Sequence, residues 1–419
     1  MPKDTWYRMD NVAKVFLASY DARDTRSFRV SCCLKEEIEP ELLQIAVSQA
    51  VKERPQYQVL IRRGLFWHYM EETELTPEVC EEEERPCPLL YGNAYGKRLH
   101  YRVSYFLNRI NLDMFHALSD GNGGMEFLNI IVTHYLRQLY PGKLNNVVIG
   151  TGASFAGLDE DSFKQFYEKS GGVIPKSTAM KKAYHIKGLK LPYDQLQFFE
   201  VHFPADQLLK RSREAGVSLT SYLGARLMTA IYRDMPLIQR NRPVTLSMPV
   251  NLRNFYPSLT SRNFFNSVYV SHVFQGDETL TELAKEFDRN LKSQLTPEAI
   301  RERMNNYEKI ENLLFVRMVP LVLKNPIVNL FNKREDKGIT AVISNLGRLS
   351  VPEELKEYIE TYVCYCSTQK LFLTCSSYEN DFVIGIASAY RNTAVLRNFL
   401  RAFTEEGVSV TLYSSEVAL

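Results

Sequence analysis

The stretch RINLDMFHALSDGNGGMEFLNIIVTHYL, residues 109–136, changes its hydrophobic period in the middle, and that change organises the reading of the chain. Ile110, Leu112, Met114 and His116 alternate, which places them on one face of a β-strand running inward. Met125, Leu128, Ile131, Val132, Tyr135 and Leu139 recur at helical spacing. A strand therefore ends and a helix begins around SDGNGG, so His116 and Asp120 do not share a helical face. Gly121 to Gly124, with Asn122 among them, are expected to let the chain turn tightly and to leave space beside the turn.

Upstream, RSFRVSCCL (26–34) has strand composition, Pro40 is placed to open a helix, and YQVLIRR and LFWHYME form a hairpin around Gly64. Downstream the same order restarts: strand LQFFEVHF, then Pro204 opening the helix PADQLLKRSREAG, a weak internal repeat. A helix capped by Ser218 or Thr220, strands PVTLSMPV and NSVYVSHVF, two or three helices to about residue 333 and strand ITAVISNL follow. The hairpin KLFLTCSS/FVIGIASAY, helix TAVLRNFLRAFTEEG and strand SVTLYSS close the chain. Without strict βαβ alternation, this order predicts an α/β protein of two similar lobes with mixed sheets flanked by helices. Residues 141–196, weak in periodicity and carrying Gly142, Gly150, Gly152, Gly171 and Gly172, read as a crossover connection. The lobes are accordingly assigned to 1–175 and 176–419.

At 419 residues the chain exceeds what one core usually supports, which agrees with two lobes. A formal charge of +2, with Lys and Arg scattered among the acids, argues against a nucleic-acid partner. The seven Cys show no CxxC pair and read as reduced thiols of a cytoplasmic protein. The N-terminal residues lack the apolar core of a signal peptide, and no run of 18 uncharged apolar residues suggests a transmembrane segment. The most apolar stretch, 310–333, is interrupted by Arg317, Pro320, Lys324 and Pro326, and reads as a buried or lobe-covering helix pair in preference to a membrane-surface element.

HALSDG, followed by MPVNLRNFYPSLTSRNFFN (248–266) and ISNLGRL (343–349), resembles the chloramphenicol acetyltransferase-like superfamily of HxxxD acyltransferases. Within it the likeness is nearest to bacterial alcohol acetyltransferase-type proteins, with condensation domains, wax ester synthases and polyketide-associated acyltransferases as more distant kin. The order of motifs covers nearly the whole chain. The resemblance implies a channel between the lobes, with an acyl-CoA co-substrate entering on one side and a small hydroxyl or amine acceptor on the other. It implies His116 as general base at the middle of the channel, and Asp120 in a structural ion pair with Arg253. Oxyanion donors would come from the backbone near Gly121 first and from Asn345 second, with Ser344 beside it on the second-lobe strand that borders the channel. No tightly bound cofactor and no covalent acyl-enzyme are implied.

Where condensation domains usually carry two adjacent histidines, Phe115 precedes His116, which weighs against amide-bond formation between carrier-bound substrates. Transfer from an acyl carrier protein, and a non-catalytic binding module of the same fold, stand as alternatives. A metal site is disfavoured because no second His or Cys cluster lies at ligand spacing, and a nucleotide loop because GNGG is not followed by GK[ST]. SFKQFYEK (162–169) reads either as a solvated helix or as part of the acceptor entrance, and the remaining six His have no partner that sequence identifies.

Overall fold

The computed structural model describes residues 6–83, 85–92, 97–147, 155–167, 181–192, 195–311 and 319–415. Three sheets carry the fold. Strands β2 (Ser27–Leu34), β5 (Val79–Glu81), β6 (Tyr101–Phe106), β7 (Arg109–Phe115) and β12 (Ile359–Cys366) form one, in the order β12-β2-β7-β6-β5. Strands β8 (Gln197–Pro204), β9 (Val244–Asn251), β10 (Phe265–His272), β11 (Ala341–Arg348), β13 (Leu371–Tyr378), β14 (Asp381–Ser388) and β15 (Thr411–Ser414) form the second. Its order is β10-β9-β11-β13-β14-β8-β15. A small third sheet, β1-β4-β3, combines β1 (Trp6–Arg8) with the hairpin β3 (Val59–Arg63) and β4 (His68–Glu72). Both large sheets are mixed: β5 runs parallel to β6, and β11 runs parallel to β9 and β13.

Each large sheet has its own core, one including Phe28, Leu112 and Leu128, the other Val201, Leu246 and Phe399. The doubled strand and Pro-helix pattern is realised in both lobes. The helix Pro40–Glu53 begins on Pro40, whose missing N–H would have no partner in the first turn anyway, and the helix Ala205–Glu214 starts directly after Pro204. Ser218 caps the helix Leu219–Asp234 by accepting from Ser221 N. In the 141–196 connection the helices Phe155–Leu158 and Ser162–Gln165 are formed, while 148–154, 168–180 and 193–194 lie outside the described residues.

Three strands escaped the sequence reading: β1, β5 and β12. β12 matters most, because it leaves the second half of the chain and pairs antiparallel with β2 of the first sheet. Its residues IETYVCYC do have the β-branched and aromatic content of a strand. Where β12 crosses the second sheet, a Cβ on Gly385 of β14 would sit 1.8 Å from the Cys364 carbonyl oxygen, so only glycine lets the two backbones meet there.

A polar link reinforces that crossing. Arg109 on β7 donates both terminal nitrogens to the Glu200 carboxylate on β8, at 2.8 and 2.9 Å. His202 bridges Glu200 and Asp381, and the Tyr365 and Thr361 hydroxyls of β12 donate to Glu200 and Asp381. Burial opposes a charge on His202, but its hydrogen bonds to Asp381 and Glu200 outweigh that and raise its pKa to about 9. A histidine raised on folding contributes stability that is complete below its unfolded pKa near 6.5 and is lost as pH climbs through about 9. Urea unfolding of the wild type should therefore weaken between pH 6.5 and 9.5, and His202→Gln should remove most of that slope. An unchanged slope in the variant would reject this assignment. Gly385→Ala should be severely destabilised in the same assay at every pH.

Candidate active site

A cavity of about 330 Å³ opens between the lobes, lined from the first by Phe16, Phe28 and His116 and from the second by Phe265, Ser344 and Thr374. β7 stops at Phe115, two residues short of the strand expected over 109–117, and His116 opens the following turn, with its backbone N–H donating to Arg26 O at 2.8 Å. The histidine thus sits at the strand end facing the cavity, beyond the alternating core face.

Its ring is held by a residue that sequence reasoning did not single out. Asn263 Nδ2 donates to His116 O at 2.9 Å and to the Asp10 carboxylate at 3.3 Å. Both partners only accept, so the orientation of the amide is determined. Asn263 Oδ1, 3.0 Å from His116 Nδ1, must then accept a hydrogen bond from the N–H of that nitrogen. The tautomer follows: Nδ1 carries hydrogen and Nε2 has its lone pair free. Asn263 lay within a quoted motif, SRNFFN, but nothing in local spacing distinguishes it from its neighbours. Only the approach of that loop to the turn after β7 shows its role.

Aromatic rings enclose the imidazole. Phe16 lies tilted at 4.5 Å between centroids, Phe28 edge-on at 4.9 Å and Phe265 at 5.6 Å. Although the side chain is part-exposed at the cavity wall, burial among these rings is the largest influence on its pKa and pulls it below the ordinary imidazole value. The nearby Asp120 charge and the Asn263 hydrogen bond oppose that shift without cancelling it.

Asp120 has two tasks on its two oxygens. Oδ1 accepts from Gly123 N at 3.1 Å and so caps the helix Gly121–Leu139. Oδ2 accepts from Arg253 Nη1 at 2.7 Å and from Phe264 N at 3.0 Å. Arg253 spends its other donors on Thr260 O, Arg262 O and the Asn251 side chain. It lies behind the cavity wall, on the second lobe, and ties two loops to the motif. Ser119 adds a hydroxyl bond to Ser261 O at 2.5 Å, and Tyr57 bonds Ser119 and Gly123 O.

The glycines differ from their predicted role. The helix starts at Gly121, so GNGG is its first turn and not a left-handed turn. Close packing demands the small residues: a Cβ on Gly123 would lie 2.2 Å from Ser119 Oγ, and one on Gly124 would lie 2.6 Å from the Phe28 ring. Among the described residues no hydrogen bond is made by the N–H groups of Gly121 and Asn122, and both residues border the cavity. Ser344 also borders the cavity, paired in register with Thr374, whose buried hydroxyl has no partner among the described residues. Asn345 borders it too, but its amide donates to Thr220 Oγ1 at 2.8 Å and its carbonyl accepts from Gly347 N.

SFKQFYEK neither floats in solvent nor lines the cavity in its described part: Phe163 is buried with Leu252 and Phe264 behind the Arg253 loop. Of the 310–333 stretch, 310–311 end the helix Pro297–Glu311, 312–318 lie outside the described residues, and 321–333 belong to the helix Leu321–Asp336, which covers the helix Asn11–Ser19 with one side and leaves its outer face exposed. Of the other histidines, His100 accepts from Ile61 N and bonds Leu90 O, and burial lowers it to about 4. Among the described residues, no group of three or more His, Cys, Asp or Glu is placed to hold a metal ion, and no helix is long and apolar enough to cross a membrane.

Two α/β lobes, a strand exchanged between them and a histidine at the cavity in the seam define the class: the chain has the two-lobed fold of chloramphenicol acetyltransferase-like proteins. No family model matches the chain, and no curated protein is significantly similar to it in sequence. Solved structures are similar over nearly its full length. The F. graminearum TRI101 complex with coenzyme A and deoxynivalenol superposes with a TM-score of 0.66 at 12% identity, over 97% of this chain and 99% of that one. Polyketide synthase associated protein 5 from Mycobacterium tuberculosis gives 0.63 at 14% identity, over 95% and 96%. The first condensation domain of the CDA synthetase gives 0.60 at 11%, over 95% of each chain.

Because Asp120 is buried and answers three donors, removing its charge strands the Arg253 guanidinium. Asp120→Ala should cost roughly 3–5 kcal/mol in chemical denaturation, and Arg253→Lys should also be destabilising, because an ammonium cannot reproduce the guanidinium fork. A fully stable Asp120→Ala protein would overturn this structural role.

Proposed function

We propose that the protein is an acyltransferase that moves an acyl group from coenzyme A to a hydroxyl acceptor by direct transfer, with His116 as general base. The observation that carries the reading is the Asn263-held tautomer: it leaves the Nε2 lone pair of His116 free in a cavity between two lobes. Support for the donor class is the shared fold of TRI101, a protein crystallised with coenzyme A. We also assign the lobes to residues 1–175 and 176–419, with the strand 359–366 exchanged into the first.

In this scheme Nε2 removes the acceptor proton as the acceptor oxygen attacks the thioester carbonyl. The new C–O bond puts negative charge on the former carbonyl oxygen. The free amides of Gly121 and Asn122, at the start of a 19-residue helix, are suited to stabilise that charge, with the Ser344 hydroxyl as a second donor. Collapse breaks the C–S bond, and the thiolate leaves with the proton held on Nε2. A covalent acyl-enzyme is disfavoured, since burial pushes the cavity-side Cys366 thiol up to about 12.

His116 must be neutral to act, and its pKa is lowered, so kcat/KM should stay level from neutral pH down past the ordinary imidazole value and fall only in more acidic solution. Coenzyme A release from acyl-coenzyme A with a panel of alcohols and amines is the assay. His116→Ala should lower kcat/KM by about 10²- to 10⁴-fold. Asn263→Ala should reduce kcat and move the acid limb to still lower pH, because the bond it loses supports the protonated ring. Equal rates for wild type and His116→Ala would overturn the reading. Turnover only with a carrier-protein thioester would transfer it to that donor.

A further inference from the structure

The helix Leu321–Asp336 turns an apolar stripe outward. Val322, Leu323, Pro326, Ile327, Leu330 and Phe331 recur at helical spacing, with Leu330 69% and Phe331 63% exposed. The opposite side of the helix packs on the helix Asn11–Ser19, so the stripe is not a fold contact. The tip of the β3–β4 hairpin extends it: Leu321 N donates to Leu65 O at 2.9 Å and Lys324 Nζ to Phe66 O at 3.0 Å. There Leu65 and Trp67 are exposed, and Trp6 stands on the same face of this small sheet, edge-on to Tyr69. Trp6 and Trp67 are the two tryptophans of the chain, and they are 51% and 53% exposed. A large aromatic ring with one polar N–H left at a surface suits a boundary between oil and water.

The charges nearest the stripe are basic: Lys324, Lys333 and Arg334 on the helix and Arg63 at the hairpin tip, while the acids Glu335 and Asp336 occupy only the last two positions of the helix, and Glu71, opposite Trp6, is paired with Arg62. We propose that this face docks on an anionic phospholipid bilayer, with the stripe and the tryptophans in the interfacial layer and the cations against the headgroups. Tryptophans at the margin of an apolar stripe, with lysine and arginine beside it, match the interfacial layer and headgroups of such a bilayer. The same helix reaches the cavity through Asn332, Glu335 and Asp336, and its partner helix through Val12 and Phe16, so docking brings the cavity mouth close to the bilayer, with the two acids on the cavity side of the helix end.

Because the chain has two tryptophans and both lie in the patch, intrinsic fluorescence reads docking directly. The full chain is titrated with vesicles of phosphatidylcholine containing phosphatidylglycerol, and flotation is run in parallel. A blue shift and co-flotation are expected, weaker on pure phosphatidylcholine and at high salt. Leu330→Glu/Phe331→Glu changes only exposed positions and should partition at least about tenfold less, since burying one large apolar side chain is worth more than a decade. Lys333→Glu/Arg334→Glu should lose the preference for anionic vesicles while keeping its far-ultraviolet circular dichroism. No blue shift and no flotation would overturn the proposal, as would undiminished flotation of the Leu330/Phe331 variant. A concentration-dependent dimer abolished by that variant, without vesicle binding, would assign the face to a second copy instead. None of these readings depends on acyl transfer.

Discussion

The ion pair between Asp120 and Arg253 is the constraint on which the site depends. It joins the turn after β7 to a loop of the other lobe, and each partner is saturated by further bonds from its own side. Phe264 N shares the same carboxylate oxygen, so the backbone at 263–264 is brought to the motif by the pair itself. Asn263 arrives with it and determines which nitrogen of His116 carries hydrogen. Thus a charge pair behind the cavity wall controls the tautomer of a ring at its surface. The state of the imidazole and the lobe contact cannot be separated.

Packing supplies the other half of the arrangement. Gly124 leaves room for Phe28, and Phe28 in turn stands edge-on to His116. With Phe16 and Phe265 it removes water from the imidazole, which disfavours the protonated form. A neutral ring with a known tautomer is ready to accept a proton without first losing one. Buried Asp10, raised to about 6, caps the helix at Ala13 and receives the Asn263 amide, so the first lobe also steadies the imidazole.

The two lobes are joined by more than the site. β12 completes the first sheet from the second half of the chain, and Gly385 permits its backbone to touch β14. Arg109, Glu200, His202 and Asp381 place charges across the same seam, each with a partner. A cavity at such a seam is stable because its walls are held from behind.

Much of this was legible in the chain. The period change at 109–136, the paired Pro-helix starts at 40 and 204, and a cap at Ser218 or Thr220, which the structure places at Ser218, depend on neighbours within a few residues, so the sequence shows them directly. HALSDG, NLRNF and SNLG together marked His116, Asp120, Gly121, Arg253, Ser344 and Asn345 for attention, and of these the Asn345 amide is engaged by Thr220 and Gly347. What stayed hidden required partners far apart. Asn263 acts on a residue 147 positions away, and β12 belongs to a sheet built from the opposite end of the chain. The glycines of GNGG were read as turn residues because their true reason, a phenyl ring and a hydroxyl packed against them, comes from elsewhere in the fold. The apolar stretch 310–333 reads as a buried or lobe-covering helix pair; periodicity records that a face is apolar, and only the tertiary structure shows that one side of the helix 321–336 packs on the helix 11–19 while its apolar stripe faces outward.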